Sequence, residues 1–242
     1  MSELVLPTKK VAAKSHSPRK LIIYSKPKVG KTSALAELEN ALIIDLERGT
    51  DFLDALKVQV NDLTELRKVG DAIIAAGKPY KYIVIDTITK LEDMCGPLAL
   101  TMYKKTPMGK SFDGTNVLTL PNGAGYLYLR EAIDSVVKYI DTLGDRIIYL
   151  GHIKLKSIEK NGKEVTASDL DLTGKIKSMM SADVDAIGML YREGNKNMLS
   201  FKTTDDVICG ARPQHLKNQE IVLSEIDEKG NLKVNWDKVF ID

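Results

Sequence analysis

The chain has 242 residues, of which 43% are hydrophobic and 28% charged, and a formal net charge of +2. That balance belongs to a soluble globular protein, and no run of about 18 apolar residues is present to span a membrane. Two distant cysteines, Cys95 and Cys209, and three scattered histidines, His16, His152 and His215, exclude a disulfide framework and a structural zinc site, so a reduced, cytoplasmic setting is expected.

Residues 1–18 hold Ser, Pro and Lys without sustained periodicity, and Leu4-Val5-Leu6 is their one apolar cluster. They read as a flexible basic amino-terminal arm ahead of a single domain over 19–242, and no apolar stretch follows the lysines as a signal peptide requires. Eight Lys or Arg and one acid fall within residues 1–31, leaving 27 basic and 32 acidic residues for the remainder. Such an arm either binds polyanions through phosphate contacts or is a solvated leader; composition leaves both readings open.

Leu21-Ile22-Ile23-Tyr24 reads as a strand, Ser25 to Thr32 as a tight loop, and Ser33 to Leu38 as the helix after it. The loop ends in Gly30-Lys31-Thr32, the end of the phosphate-binding pattern G-x-x-x-x-G-K-[ST], with Ser25 where the first glycine stands. Loop amides and the positive helix end make a concave anion site, so Ser25, Lys26, Pro27, Lys28, Val29, Gly30, Lys31, Thr32 and Ser33 are the expected nucleotide contacts. Lys31 is placed to reach the β- and γ-phosphates of ATP, and the Thr32 hydroxyl to ligate Mg²⁺. The bland alternative is a strand-turn-helix with a chance lysine.

Ala41 to Leu46 is a second buried strand, with Glu47 at its end. Asp62-Leu63-Thr64-Glu65 has the residues of a capping box, and Leu63, Leu66, Val69, Ile73 and Ile74 repeat at helical spacing. Tyr82-Ile83-Val84-Ile85 then leads into Asp86, which is either a helix N-cap or the second Mg²⁺-site carboxylate; its pairing with Gly30-Lys31-Thr32 favours the metal site. Residues 104–125 read as a long loop in which Lys104, Lys105 and Lys110, with Tyr103 and Phe112, suit a polynucleotide, or else as a surface excursion.

A helix over 126–143 leads to the strand 146–150 and to His152, placed at a strand end where a γ-phosphate is sensed or held there as a structural histidine. Residues 154–181 form a second polar excursion, with Lys154, Lys156, Lys175 and Lys177 and a turn at Asn161-Gly162. Hairpins about Gly194-Asn195-Lys196-Asn197 and Glu228-Lys229-Gly230-Asn231 follow. The predicted fold is a mostly parallel α/β sheet flanked by helices, with antiparallel β-hairpins at its carboxyl-terminal edge.

The strand ends Ile44-Asp45-Leu46-Glu47, Ile85-Asp86-Thr87 and Gly151-His152-Ile153-Lys154, with the P-loop, resemble the RecA-like P-loop ATPase core. Over about residues 19–216 the chain is similar to the phage RecA-type single-strand annealing proteins of the Sak group, described broadly as AAA-type domains; Leu170 to Lys175 and Cys209-Gly210-Ala211-Arg212 share in the likeness. The resemblance implies that Glu47 polarises the attacking water, that Asp86 holds Mg²⁺ through water, and that His152 stands where a glutamine usually couples the γ-phosphate to the following loop. It also implies a catalytic group of Glu47, Lys31 and His152, and loops at 104–125 and 154–181 facing single-stranded DNA. A homo-oligomeric ring or filament is the expected assembly, with a single-strand-binding protein as a further partner. A further cation would come in trans from Arg212 or Lys217. The alternatives are a replication motor or loader, a nucleotide-gated binding module with little hydrolysis, and a small-molecule kinase, the last disfavoured by the scarcity of arginine after Gly151.

Overall fold

The computed structural model describes residues 6, 8–13, 15–160, 163–204 and 207–242. Most of Leu4-Val5-Leu6 and the Asn161-Gly162 turn lie outside the described residues. In chain order the elements are β1 (Lys20–Ser25), α1 (Lys31–Ala36), β2 (Ala41–Asp45), β3 (Lys57–Gln59), α2 (Leu63–Ala75), β4 (Tyr82–Asp86), α3 (Ile88–Met94), α4 (Gly96–Lys104) and α5 (Gly125–Ile140). Then come β5 (Arg146–Lys160), β6 (Lys163–Leu170), α6 (Gly174–Asp183), β7 (Ala186–Glu193), β8 (Lys196–Ser200), β9 (Gly210–Ala211), β10 (Glu220–Ile226) and β11 (Leu232–Val234).

The apolar runs become the centre of one sheet because strands buried on both faces need no polar alternation. The order is β11-β10-β8-β7-β1-β5-β4-β2-β3, parallel from β7 to β3 and antiparallel from β7 outward to β11. This is the mostly parallel sheet with antiparallel hairpins at its carboxyl-terminal edge that the sequence leads one to expect. Strand β5 lies between β1 and β4, so the phosphate loop, His152 and Asp86 emerge side by side at one end of the sheet.

Alternation along each strand feeds two cores. Ile22 and Tyr24 join α2 to α6 on one face, whereas Leu21 and Ile23 join α1 and the carboxyl-terminal Trp236, Val239 and Phe240 on the other. Trp236 is buried and its indole Nε1 donates to Ala34 O of α1 at 2.7 Å. The N-cap half of the capping box of α2 forms, with Asp62 accepting from Glu65 N at 2.8 Å, while Glu65 Oε2 reaches one residue further back and accepts from Asn61 N at 2.7 Å.

Two expectations of loops need correction. Residues 105–124 carry short 3-10 turns packed on α4 and α5, with Val117 and Leu120 buried. Tyr103 there makes edge contacts with Phe112 and Tyr128 at ring separations of 5.4 and 5.1 Å, so it and Phe112 are committed to packing. Gly109 permits that close approach: a Cβ on it would stand 1.9 Å from Tyr103 O. The second excursion is likewise ordered, because β5 runs on past the sheet and pairs antiparallel with β6 from Ile153↔Leu170 to Lys160↔Lys163, before α6.

Candidate nucleotide and metal site

The phosphate loop leaves β1 at Ser25, which is fully buried. Its backbone does not take the left-handed conformation that favours glycine, so the replaced first glycine causes no clash of that kind. Its hydroxyl accepts from Lys31 Nζ at 2.8 Å and donates to Lys26 O at 2.6 Å. Gly30 does need to be glycine: its φ is +104°, and a Cβ would meet the Asn197 amide of β8 at 3.1 Å. Lys26, Pro27 and Lys28 are exposed, whereas Lys31 is buried.

Thr32 Oγ1 donates to Asp86 Oδ2 at 2.8 Å, which joins the end of β4 to the start of α1. The pair offers two hard oxygens of the kind Mg²⁺ takes with few protein ligands and several waters, so these residues fit the ion. Asp86 is buried; burial raises its carboxyl to about 6, the Thr32 hydroxyl and Lys31 oppose the rise, and Glu47 and Asp45 add to it. Burial also pushes the Lys31 amine down, an effect partly offset by Asp86 and Glu47. The N-cap role weighed for Asp86 belongs to its neighbour Thr87, whose hydroxyl accepts from Lys90 N at 3.2 Å.

Glu47 stands across the site from Lys31. Its carboxylate accepts from Thr87 Oγ1 at 2.6 Å and lies 3.0 and 3.1 Å from His152 Nε2. An ionised carboxylate only accepts, so Nε2 carries the hydrogen; Nδ1 of the same ring is buried and without a partner among the described residues. The turn bearing Glu47 is built on Asp45, which accepts from the amides of Glu47, Gly49 and Thr50 and from Thr50 Oγ1 at 2.6 Å. Burial alone would raise the Asp45 carboxyl, but these bonds hold it below its usual value.

Pro27, Lys28, Gly30, Lys31, Thr32, Ser33, Glu47, Asp86 and His152 line one cavity of about 550 Å³. Sequence reasoning missed Phe52 on its rim, 99% exposed, as well as Thr87 and the Asp45 turn. A large apolar residue five positions past Glu47, in a polar stretch without periodicity, was the available signal for Phe52.

The expected DNA-contacting lysines divide into two groups. Lys154 pairs with Asp171 at 3.3 Å and Lys156 with Asp169 at 3.1 Å, while Lys177 also bonds Asp169, so the acids in this segment neutralise them. Lys104, Lys105, Lys110 and Lys175 are exposed and have no ion pair among the described residues. Arg212 sits apart from the cavity, bound to Asp185 Oδ1 at 3.1 Å and to Ala182 O at 2.6 Å; Lys217 is exposed.

A family model described as AAA domain matches residues 17–212. No curated protein matches the sequence. Among solved structures, a RadB recombinase is similar at 12% identity and a TM-score of 0.45, covering 89% of this chain and 90% of that one. A KaiC-like protein from Pyrococcus horikoshii is similar at 15% and 0.45, covering 91% and 89%. An ATPase from a bacterial type III secretion system is similar at 12% and 0.44, covering 79% and 65%.

Proposed function

The chain belongs to the AAA domain family, and on that premise we propose that it binds and hydrolyses ATP and acts on single-stranded DNA as a phage recombination or annealing protein. The observation that carries the nucleotide chemistry is the meeting of Lys31, Thr32, Asp86, Glu47 and His152 in one cavity. Lys31 exchanges its Ser25 partner for phosphate oxygens, and the loop amides take up the remaining charge. Mg²⁺, when bound, neutralises charge developing on the transferred phosphoryl group. Thr32 and Asp86 would hold it, and Phe52 offers a base a flat apolar face.

Glu47 orients and polarises the attacking water, but its oxygens are already engaged by Thr87 and His152. Hydrolysis therefore waits until His152 turns toward a γ-phosphate and releases the carboxylate. This observation favours slow turnover by the isolated chain, the behaviour of a nucleotide-gated module. Assembly of several copies around DNA, with a neighbour's Arg212 or Lys217 as a further cation and a single-strand-binding protein as helper, completes the proposal.

The test is ATP hydrolysis with and without single-stranded DNA, on the native chain and Lys31→Ala, over a range of salt. Turnover that rises with DNA and is lost in the variant is the expected result. Turnover indifferent to DNA overturns the recombination reading in favour of a kinase or loader, and nucleotide binding without turnover under either condition favours the gated module.

A further inference from the structure

A second cavity, also about 550 Å³, lies where the first turns of α5 and α6 meet. Tyr126, Leu127, Arg130, Lys175 and Ile176 are on its walls. Tyr126 is 49% and Leu127 42% exposed, unusual for side chains of their size beside a well-packed helix layer. Arg130 and Lys175 have no hydrogen bond or ion pair among the described residues. They differ in this from Lys154, Lys156 and Lys177 nearby in sequence, whose charges Asp169 and Asp171 cancel.

An aromatic face beside two uncompensated cations is complementary to a base with its phosphate, and the volume accommodates a nucleotide unit. The α6 wall is also tied to the nucleotide cavity. Asp171 N donates to His152 O at 2.9 Å, Thr89 Oγ1 donates to Asp171 O at 3.2 Å, and Thr173, on the cavity wall, donates its amide to Glu92 at 3.0 Å. Asp171, bonded to the strand end at His152, thus stands two residues from Thr173 on the cavity wall.

We infer that this cavity, rather than the paired lysines of the β5–β6 ribbon, is the main contact for single-stranded DNA, with a base on Tyr126 and its phosphate between Arg130 and Lys175. The inference rests on the single-strand binding proposed above.

The experiment is fluorescence anisotropy of a labelled oligo-dT titrated with the full chain at several salt concentrations. Arg130→Ala and Lys175→Ala should each weaken binding and lower the salt slope by about 1, whereas Tyr126→Ala should weaken binding about tenfold with the slope unchanged. Tyr126→Phe, which keeps the ring, should bind like the native chain. Failure of the native chain to bind oligo-dT removes the single-strand reading itself. Native binding that all three alanine variants retain overturns the cavity alone, as does a larger loss in Lys154→Ala/Lys156→Ala than in Arg130→Ala/Lys175→Ala. Unchanged DNA binding in Tyr126→Ala with an altered sedimentation coefficient also overturns it, assigning the cavity to contact between copies.

Discussion

The two ends of the parallel sheet both carry charge drawn back from solvent, half-buried around Lys20 at one end and buried at Lys31 and Asp86 at the other, and they treat it in opposite ways. At the amino ends of the strands, Lys20 Nζ is bonded to Asp141 and to Asp183, and Tyr149 donates to Asp141 at 3.1 Å. Burial works against the Lys20 charge, yet the two carboxylates outweigh it and raise the amine. At the carboxyl ends, Lys31 is bonded to a hydroxyl, Asp86 to a hydroxyl, and Glu47 to a hydroxyl and an imidazole. There the lysine is lowered and the buried aspartate raised. Charges that already have their partners hold a fold together; charges held apart from one another await a ligand that supplies the missing partners.

Substitutions should separate the two ends. Lys31→Ala should reduce ATP turnover by about a thousandfold or more, since it removes the cation facing the transferred phosphate, with the circular dichroism of the fold unchanged. Glu47→Gln should keep nucleotide binding, read by equilibrium dialysis, and lose about a hundredfold in turnover. Full turnover in that variant would remove Glu47 from the reaction.

Asp86 provides a pH signature. Its folded carboxyl titrates near 6, above the ordinary 3.8. The unfolded chain therefore ionises first, and this group's contribution to stability falls as pH rises from about 4 to 6, beyond which the penalty is constant. Asp86→Asn should stabilise the ligand-free protein at pH 7.5 by on the order of 2 kcal/mol, and by much less at pH 4.5, in urea titrations. The same variant should lose the Mg²⁺ dependence of nucleotide binding. Lys20→Met is the smallest and the converse: a loss of about 1 kcal/mol, because the half-buried Asp141 and the exposed Asp183 lose their shared partner, with ATP turnover as in the native chain. A large drop in turnover there would undo the distinction between the ends.

Much of this was legible because the central strands are continuous apolar runs ending in a functional residue, as with Ile85-Asp86 and Leu150-Gly151-His152. Three features were not. β3 has only three residues, with no apolar run to announce it. The lysines at 154 and 156 alternate with apolar residues on a ribbon, and their acids lie diagonally across it: Lys154 is opposite Asp169 in register but pairs with Asp171, while Lys156 is opposite Ala167 and pairs with Asp169. Such pairing depends on strand register and twist, which local sequence does not encode. The engagement of Glu47 by Thr87 and His152 depends on three strand ends converging, a tertiary fact.

Trp236 is the one tryptophan in the sequence, and its indole is anchored to the carbonyl of Ala34, two residues beyond Thr32. Its emission should therefore respond to changes at the phosphate loop, free of competing tryptophan signal. Stopped-flow fluorescence of the unlabelled protein mixed with nucleotide is the measurement that checks this, an unchanged emission showing that the loop moves without its tryptophan anchor.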